Sequence, residues 1–173
     1  MLYNMYLLHT IFGNDFDDYK KILTDGKLKS SSKTKNIKMY GWDEGSKYIF
    51  LRIDQKGDYA NLYLDYKLLL ETNFYLHTGW KGEPHGEKIN GKKLTLEQLD
   101  TLLDDFKKDI KLYKENRKKN AKFPIEAMIT NEILVEKNID LKKYLKKIKL
   151  PFNAKKNQEL VNIAKNINPD IEF

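Results

Sequence analysis

Cysteine is absent from this 173-residue chain. Its absence excludes disulfides, thiolate nucleophiles and cysteine zinc sites, and agrees with a reducing compartment. Arginine is nearly absent too. Of 32 basic residues only Arg52 and Arg117 are arginine; the rest are lysine. Arginine supplies the planar fork that reads bases and phosphates, whereas lysine acts as a point charge. A dedicated sequence-reading nucleic-acid binder is therefore disfavoured, despite a formal net charge of +7. No run of about 18 apolar residues occurs, so no membrane span is expected. The N-terminus lacks the basic start, apolar core and small-residue cleavage site of a secretory signal. A cytoplasmic location is expected, the host cell cytoplasm if the chain is viral. Walker loops, Gly-x-Ser-x-Gly elbows and His-Glu-x-x-His helices are missing. NTPase, α/β-hydrolase and zincin chemistry are disfavoured accordingly.

What is present describes a globular protein. Hydrophobic residues make up 40% and aromatics 12%, enough to fill a core rather than leave the chain disordered. One domain over residues 1–173 is expected, with 151–173 as a C-terminal helical extension. The abundance of Lys, Asn and Ile is the pattern an AT-rich genome produces, in a large DNA virus or an AT-rich microbe. Most of the lysines read as a solvated surface, and weak polyanion binding is expected of them.

The pattern alternates between strands and helices without regular order. Strands are expected over residues 2–8, 47–53, 60–66, 73–77 and 132–136, with another possible over 124–129. Asn14 or Asp15 caps a helix with Phe16, Tyr19, Ile22 and Leu23 on one face, and Gly26 stops it. Residues 27–38 and 79–93 read as loops. Thr95 and Gln98 form a capping box. The helix after it carries Leu96, Leu99, Leu103, Phe106, Ile110 and Tyr113 at steps of three and four. Asp140 caps a short helix with Leu141, Tyr144, Leu145 and Ile148 inside, and a last helix spans about 154–166. Irregular alternation favours an α+β fold over a parallel doubly wound sheet.

Only three histidines occur. His9 closes the first strand, followed by Thr10. Gly45-Ser46-Lys47-Tyr48-Ile49-Phe50 gives a tyrosine entering a strand, Tyr59 follows eleven residues later, and Asn131-Glu132-Ile133-Leu134-Val135 opens a late strand on an acid. This ordered set resembles the His-Tyr-Glu signature of the ADP-ribosyltransferase superfamily, in its poly-ADP-ribose polymerase-like branch, and fits a divergent viral member. Leu23 to Leu28 and the stretch from Ile139 to Leu145 are similar to further family segments. Together the matching pieces cover about a third of the chain. Thr10 stands where many members carry glycine.

The resemblance implies two small β-sheets packed face to face with flanking helices, and NAD in the cleft between them. It implies NAD as substrate, no metal, and an unknown acceptor, protein or nucleic acid, for ADP-ribose. His9 would hold the adenosine-side ribose, Thr10 the nicotinamide amide, and Tyr48 and Tyr59 would flank the ring. Glu132 would be the catalytic carboxylate. The residue types suit that chemistry. A neutral histidine donates through one nitrogen and accepts through the other. A carboxylate stabilises the oxocarbenium-like sugar left when nicotinamide departs.

Other readings stay open. A histidine at a strand end is commonly a hydrogen-bonded structural residue, and tyrosines are commonly core or sheet-surface residues. His9-Thr10 and His77-Thr78 echo the paired motifs of two-histidine phosphoesterases, although adjacent strand residues face opposite ways. His77, Glu83, His85 and Glu87 form a weak metal-site pattern in a flexible loop. A catalytically inactive nucleotide- or nucleic-acid-binding module on the same fold is the non-enzyme alternative.

Overall fold

Segments rich in Leu, Ile, Phe and Tyr suit a pleated, largely buried surface, and they form the centre of the protein. The computed structural model describes residues 5–11, 15–30, 47–53, 61–77, 87–120 and 132–173. In these, β1 (Tyr6–Thr10), β3 (Ile49–Ile53), β4 (Asn61–Asp65), β5 (Asn73–His77) and β7 (Glu132–Val135) are the main strands. Short strands β2 (Lys27–Leu28), β6 (Ile89–Asn90) and β8 (Ile139–Asp140) and the strand β9 (Leu145–Ile148) complete the set. The helices are α1 (Phe16–Asp25), α2 (Leu96–Asn120), α3 (Leu141–Tyr144) and α4 (Ala154–Ile167).

Seven strands form one sheet in the order β6-β5-β7-β3-β1-β4-β9, and β2 pairs with β8 in a second sheet. Neighbouring strands run antiparallel throughout. The α+β class is as expected from the sequence, but the two small packed sheets are not what the described residues show. The reason lies in β1. It pairs with β3 on one side and β4 on the other, which joins both sets of strands into one continuous sheet.

Directly opposed residues of an antiparallel pair share a face. One face carries Leu7, Leu51, Ile53, Leu62, Leu64, Phe74, Ile133 and Val135, all buried in the main core. Each such side chain contributes about 1.5–3 kcal/mol through removal from water. Helices cover this core with their own apolar stripes. Tyr19 and Leu23 of α1 are buried, as are Leu160 and Ala164 of α4. Phe152 meets Phe16 and Tyr19 edge-on, at 5.5 and 5.4 Å between centroids. The C-terminal segment is thus packed into the same core as α1.

Local signals decide the helix ends. Asp15 accepts from the backbone N–H groups of Asp17 and Asp18 and caps α1, and Gly26 ends it at φ 63°. Thr95 and Gln98 exchange the two bonds of a capping box, at 3.2 and 2.9 Å. On α2 the expected stripe buries Leu99, Leu103, Phe106 and Ile110. Leu96, the first residue of the helix, departs from it and is 40% exposed. Charged residues 114–120 continue α2 rather than leaving it. The first strand runs over Tyr6–Thr10, past the expected end at residue 8, and residues 2–4 of the expectation lie outside the described residues.

The segment after Asp140 corrects another expectation. Asp140 caps α3 as expected, but the helix stops at Tyr144 and residues 145–148 pair with β4. Leu145 and Ile148 lie three apart, which reads as helical. In β9 a register shift opposite Tyr63 and Leu64 accommodates one extra residue, so Leu145 meets Leu64 and Ile148 meets Leu62. A bulge of this kind lets a three-residue step keep both side chains on the core face.

Candidate functional site

The strands that carry His9, Tyr48 and Glu132 are neighbours, in the order β7-β3-β1. Tyr48 immediately precedes β3, and Glu132 is the first residue of β7. Glu132 lies opposite Arg52, and Arg52 lies opposite Leu8. Two strand spacings separate β7 from β1, about 10 Å.

His9 has an unusual role at the point where β1 and β3 part. Their residue pairing runs through Leu7↔Ile53 and Leu8↔Arg52. At the next step His9 Nδ1 lies 3.0 Å from the Phe50 carbonyl oxygen. A carbonyl only accepts, so Nδ1 carries the proton and Nε2 is left as an acceptor in the neutral ring. Burial pushes the His9 pKa below its ordinary 6.5; the Phe50 bond opposes that, and the nearby Arg52 charge adds to it. The imidazole is therefore neutral at pH 7. The sequence reading gave its N–H to a ribose hydroxyl. In the structure that donor is already used, and only Nε2 is available to accept one.

Glu132 is not a solvated strand end. Its side chain is 12% exposed, and its Oε1 stands 3.5 Å from Arg52 Nη2. Arg52 thus forms an ion pair with Glu132 and lowers the His9 pKa through its charge. Sequence reasoning assigned Arg52 no part. A lone arginine inside an apolar strand forms no motif, and its scarcity was the only signal available.

Strand alternation divides the candidates. His9 pairs with Leu62, so its position belongs to the core-side row. Arg52 and Glu132 face the other way, with Leu8, Tyr63, Tyr75 and Leu134. Leu8 and Leu134 are buried at 5% and 0% exposure, yet belong to no part of the main core. The second face is therefore covered around its centre as well. Thr10 lies opposite Asn61, on the same side as Leu8 by alternation. Tyr48 stands four residues before Arg52, about 13 Å along the strand. Its ring meets Tyr75 of β5 edge-on at 5.7 Å. Tyr59 lies outside the described residues, as do Asn131, Glu83 and His85.

The strand order also bears on the other histidine reading. His77 lies opposite Glu132 on β5, with β7 and β3 between β5 and β1. Three spacings separate the strands of His9 and His77, about 14 Å. Among the described residues no group of three or more His, Asp or Glu side chains is arranged to hold a metal. Among them, too, no helix is long and apolar enough to cross a membrane.

A groove of about 850 Å³ opens elsewhere, at the turn between β7 and β8. Lys27, Glu71, Asn90, Lys92, Lys137 and Tyr144 are among its lining residues, and His9, Thr10, Tyr48 and Glu132 are not. Compared with known proteins, the chain matches no family model, no curated protein and no solved structure.

Proposed function

We propose that this protein is an NAD-dependent ADP-ribosyltransferase that cleaves the nicotinamide–ribose bond and transfers ADP-ribose to an acceptor. One observation carries the reading: Glu132 opens β7, Tyr48 leads into β3 and His9 lies on β1, three consecutive strands of one sheet. Residues far apart in sequence thus come from adjacent strands, Glu132 on one face of the sheet and His9 in the core-side row of the other. In the reaction the bond between ribose C1′ and the nicotinamide nitrogen breaks. Its electron pair leaves with nicotinamide, and C1′ becomes oxocarbenium-like. The Glu132 carboxylate stabilises that charge. The acceptor attacks C1′ and loses its proton to solvent water. Tyr75, on the same face as Glu132, supplies with Tyr48 an aromatic wall for a flat ring, while His9, in the core-side row, ties β1 to β3 through the Phe50 carbonyl.

The test is nicotinamide release from NAD by the purified protein, measured by chromatography beside calorimetric NAD binding. Release that depends on Glu132 supports the reading. The absence of both release and NAD binding refutes it. A second reading is favoured by the ion pair that already holds Glu132 to Arg52. On that reading the protein is an inactive nucleotide- or nucleic-acid-binding module. NAD binding without cleavage, or salt-dependent nucleic-acid binding without NAD, selects it. The separation of about 14 Å between the strands of His9 and His77 weighs against a shared phosphodiester.

A further inference from the structure

We propose that the C-terminal half of α2 is a docking surface for the phosphate backbone of duplex nucleic acid, engaged through a stripe of lysines and without reading of the bases. The surface is independent of the ADP-ribosyl transfer reading, none of whose residues lies on α2.

The first observation is the division of charge along one helix. Residues 96–106 hold four acids and no base, whereas residues 107–120 hold seven bases and two acids. The centres of the two halves lie about 19 Å apart along the axis. Charges that far apart, against a screening length of about 8 Å at physiological salt, do not cancel for an approaching polyanion. The second observation is spacing. Lysines at positions 107, 111, 114 and 118 follow steps of four, three and four, which set them in one stripe about 16 Å long. A helix macrodipole favours cations only in the last turn. The helix ends at Asn120, so Lys107, Lys111 and Lys114 precede that turn, and the dipole does not account for them.

The third observation is exposure. The apolar stripe of α2 is buried at Leu99, Leu103, Phe106 and Ile110, and no described side chain after Ile110 joins the core. Lys111, Lys114 and Glu115 are exposed, as is Leu112 at 59%. Lys108 reaches back to Asp105 at 3.3 Å, while Lys111 and Lys114 form no ion pair with a described residue. Lysine carries a point charge on a flexible stem, which suits phosphates met in any register. A duplex strand rises about 3.4 Å per phosphate, so the stripe spans about five of them. A membrane surface fits less well, because an interfacial helix needs a broad apolar face; Leu112 is the one exposed large apolar side chain described in this half. A single strand fits less well too. Its platforms stack successive bases on several rings, and residues 107–120 hold one aromatic, Tyr113.

The test is fluorescence anisotropy of a short labelled DNA duplex with the intact protein, over about 50 to 200 mM salt. Duplexes of unrelated sequence should bind equally. K111Q/K114Q should weaken binding about 10-fold or more at the lowest salt, and should lower the slope of log affinity against log salt by about 0.9 per lysine. K155Q/K165Q removes the same charge from exposed positions on α4 and should leave the slope unchanged. Both variants should melt with the parent, since Lys and Gln have similar helix propensities. In the parent, amide shifts on adding duplex should fall at residues 107–118. Absence of duplex binding overturns the inference, and so do equal losses in the two double variants, which would assign binding to net charge alone. Shifts confined to another surface, tighter binding of a single strand of the same length, or binding of anionic phospholipid vesicles in place of the duplex overturn it as well.

Discussion

Replacing Glu132 by Gln keeps the shape of the side chain and removes its charge. In the proposed reaction positive charge grows at ribose C1′ as nicotinamide leaves, so a carboxylate there would matter more in the transition state than in the ground state. Loss of one preorganised electrostatic group of this kind costs about 10²–10³-fold in rate, or about 2.7–4 kcal/mol. The cost to the fold is smaller. The Arg52–Glu132 pair is 3.5 Å long, and its side chains are 32% and 12% exposed. Arg52 keeps contact with solvent, so screening limits the pair to about 1 kcal/mol. For a chain of this size that lowers Tm by about 2–4 °C. The two effects separate cleanly. Nicotinamide release, measured with NAD in excess, should fall at least about 100-fold, while the melt shifts by a few degrees. Equal release by parent and variant refutes Glu132 as the charge stabiliser. A Tm drop of more than about 10 °C that accounts for the lost activity refutes the energetic assignment instead.

Three further expectations come from the same geometry and charge. Gly91→Ala forces Cβ to within 1.7 Å of a backbone oxygen, so urea denaturation should show a loss of about 3 kcal/mol or more; an unchanged midpoint contradicts the close approach. His9 is half-buried and its pKa lies below 6.5, so the unfolded chain binds more protons than the native one below about pH 6.5. Stability should be complete above that pH and decline as the pH falls towards the depressed value. Melts of the parent and of His9→Gln at acidic and neutral pH check this, and an equal acid loss in both removes His9 as a cause. The charge of +7 should give weak binding to labelled oligonucleotides that fades between about 50 and 200 mM salt. Anisotropy showing retained sub-micromolar binding to one particular sequence at physiological salt would promote a nucleic-acid module.

Much of the local structure was legible in the sequence because it depends on near neighbours. Asp15, Gly26, Thr95 and Asp140 act within a few residues of themselves, and all four perform the capping or stopping role that their types suggest. Hydrophobic spacing located the buried stripe of α2 and the strands β3, β5 and β7. The α+β class followed from the irregular order of those elements. Spacing misled where a distant partner decided the outcome. Leu145 and Ile148 have helical spacing, yet β4 offers them a ladder, and a bulge brings both to the core.

The candidate site shows the same division. Sequence order picked out His9, Tyr48 and Glu132 by residue type, but only the pairing of strands makes β1, β3 and β7 neighbours. Pairing also gives Arg52 its place against Glu132, Tyr75 its place against Tyr48, and His9 its bond to the Phe50 carbonyl. None of these contacts has a local signature, since each joins residues at least 27 apart in the chain. The groove around Tyr144 is assembled from still more segments. Caps, stops and apolar periodicity are short-range properties of the backbone and its nearest side chains, which the sequence by itself determines. The register between strands and the partners of each charge depend on where distant segments pack, and the tertiary structure alone decided them.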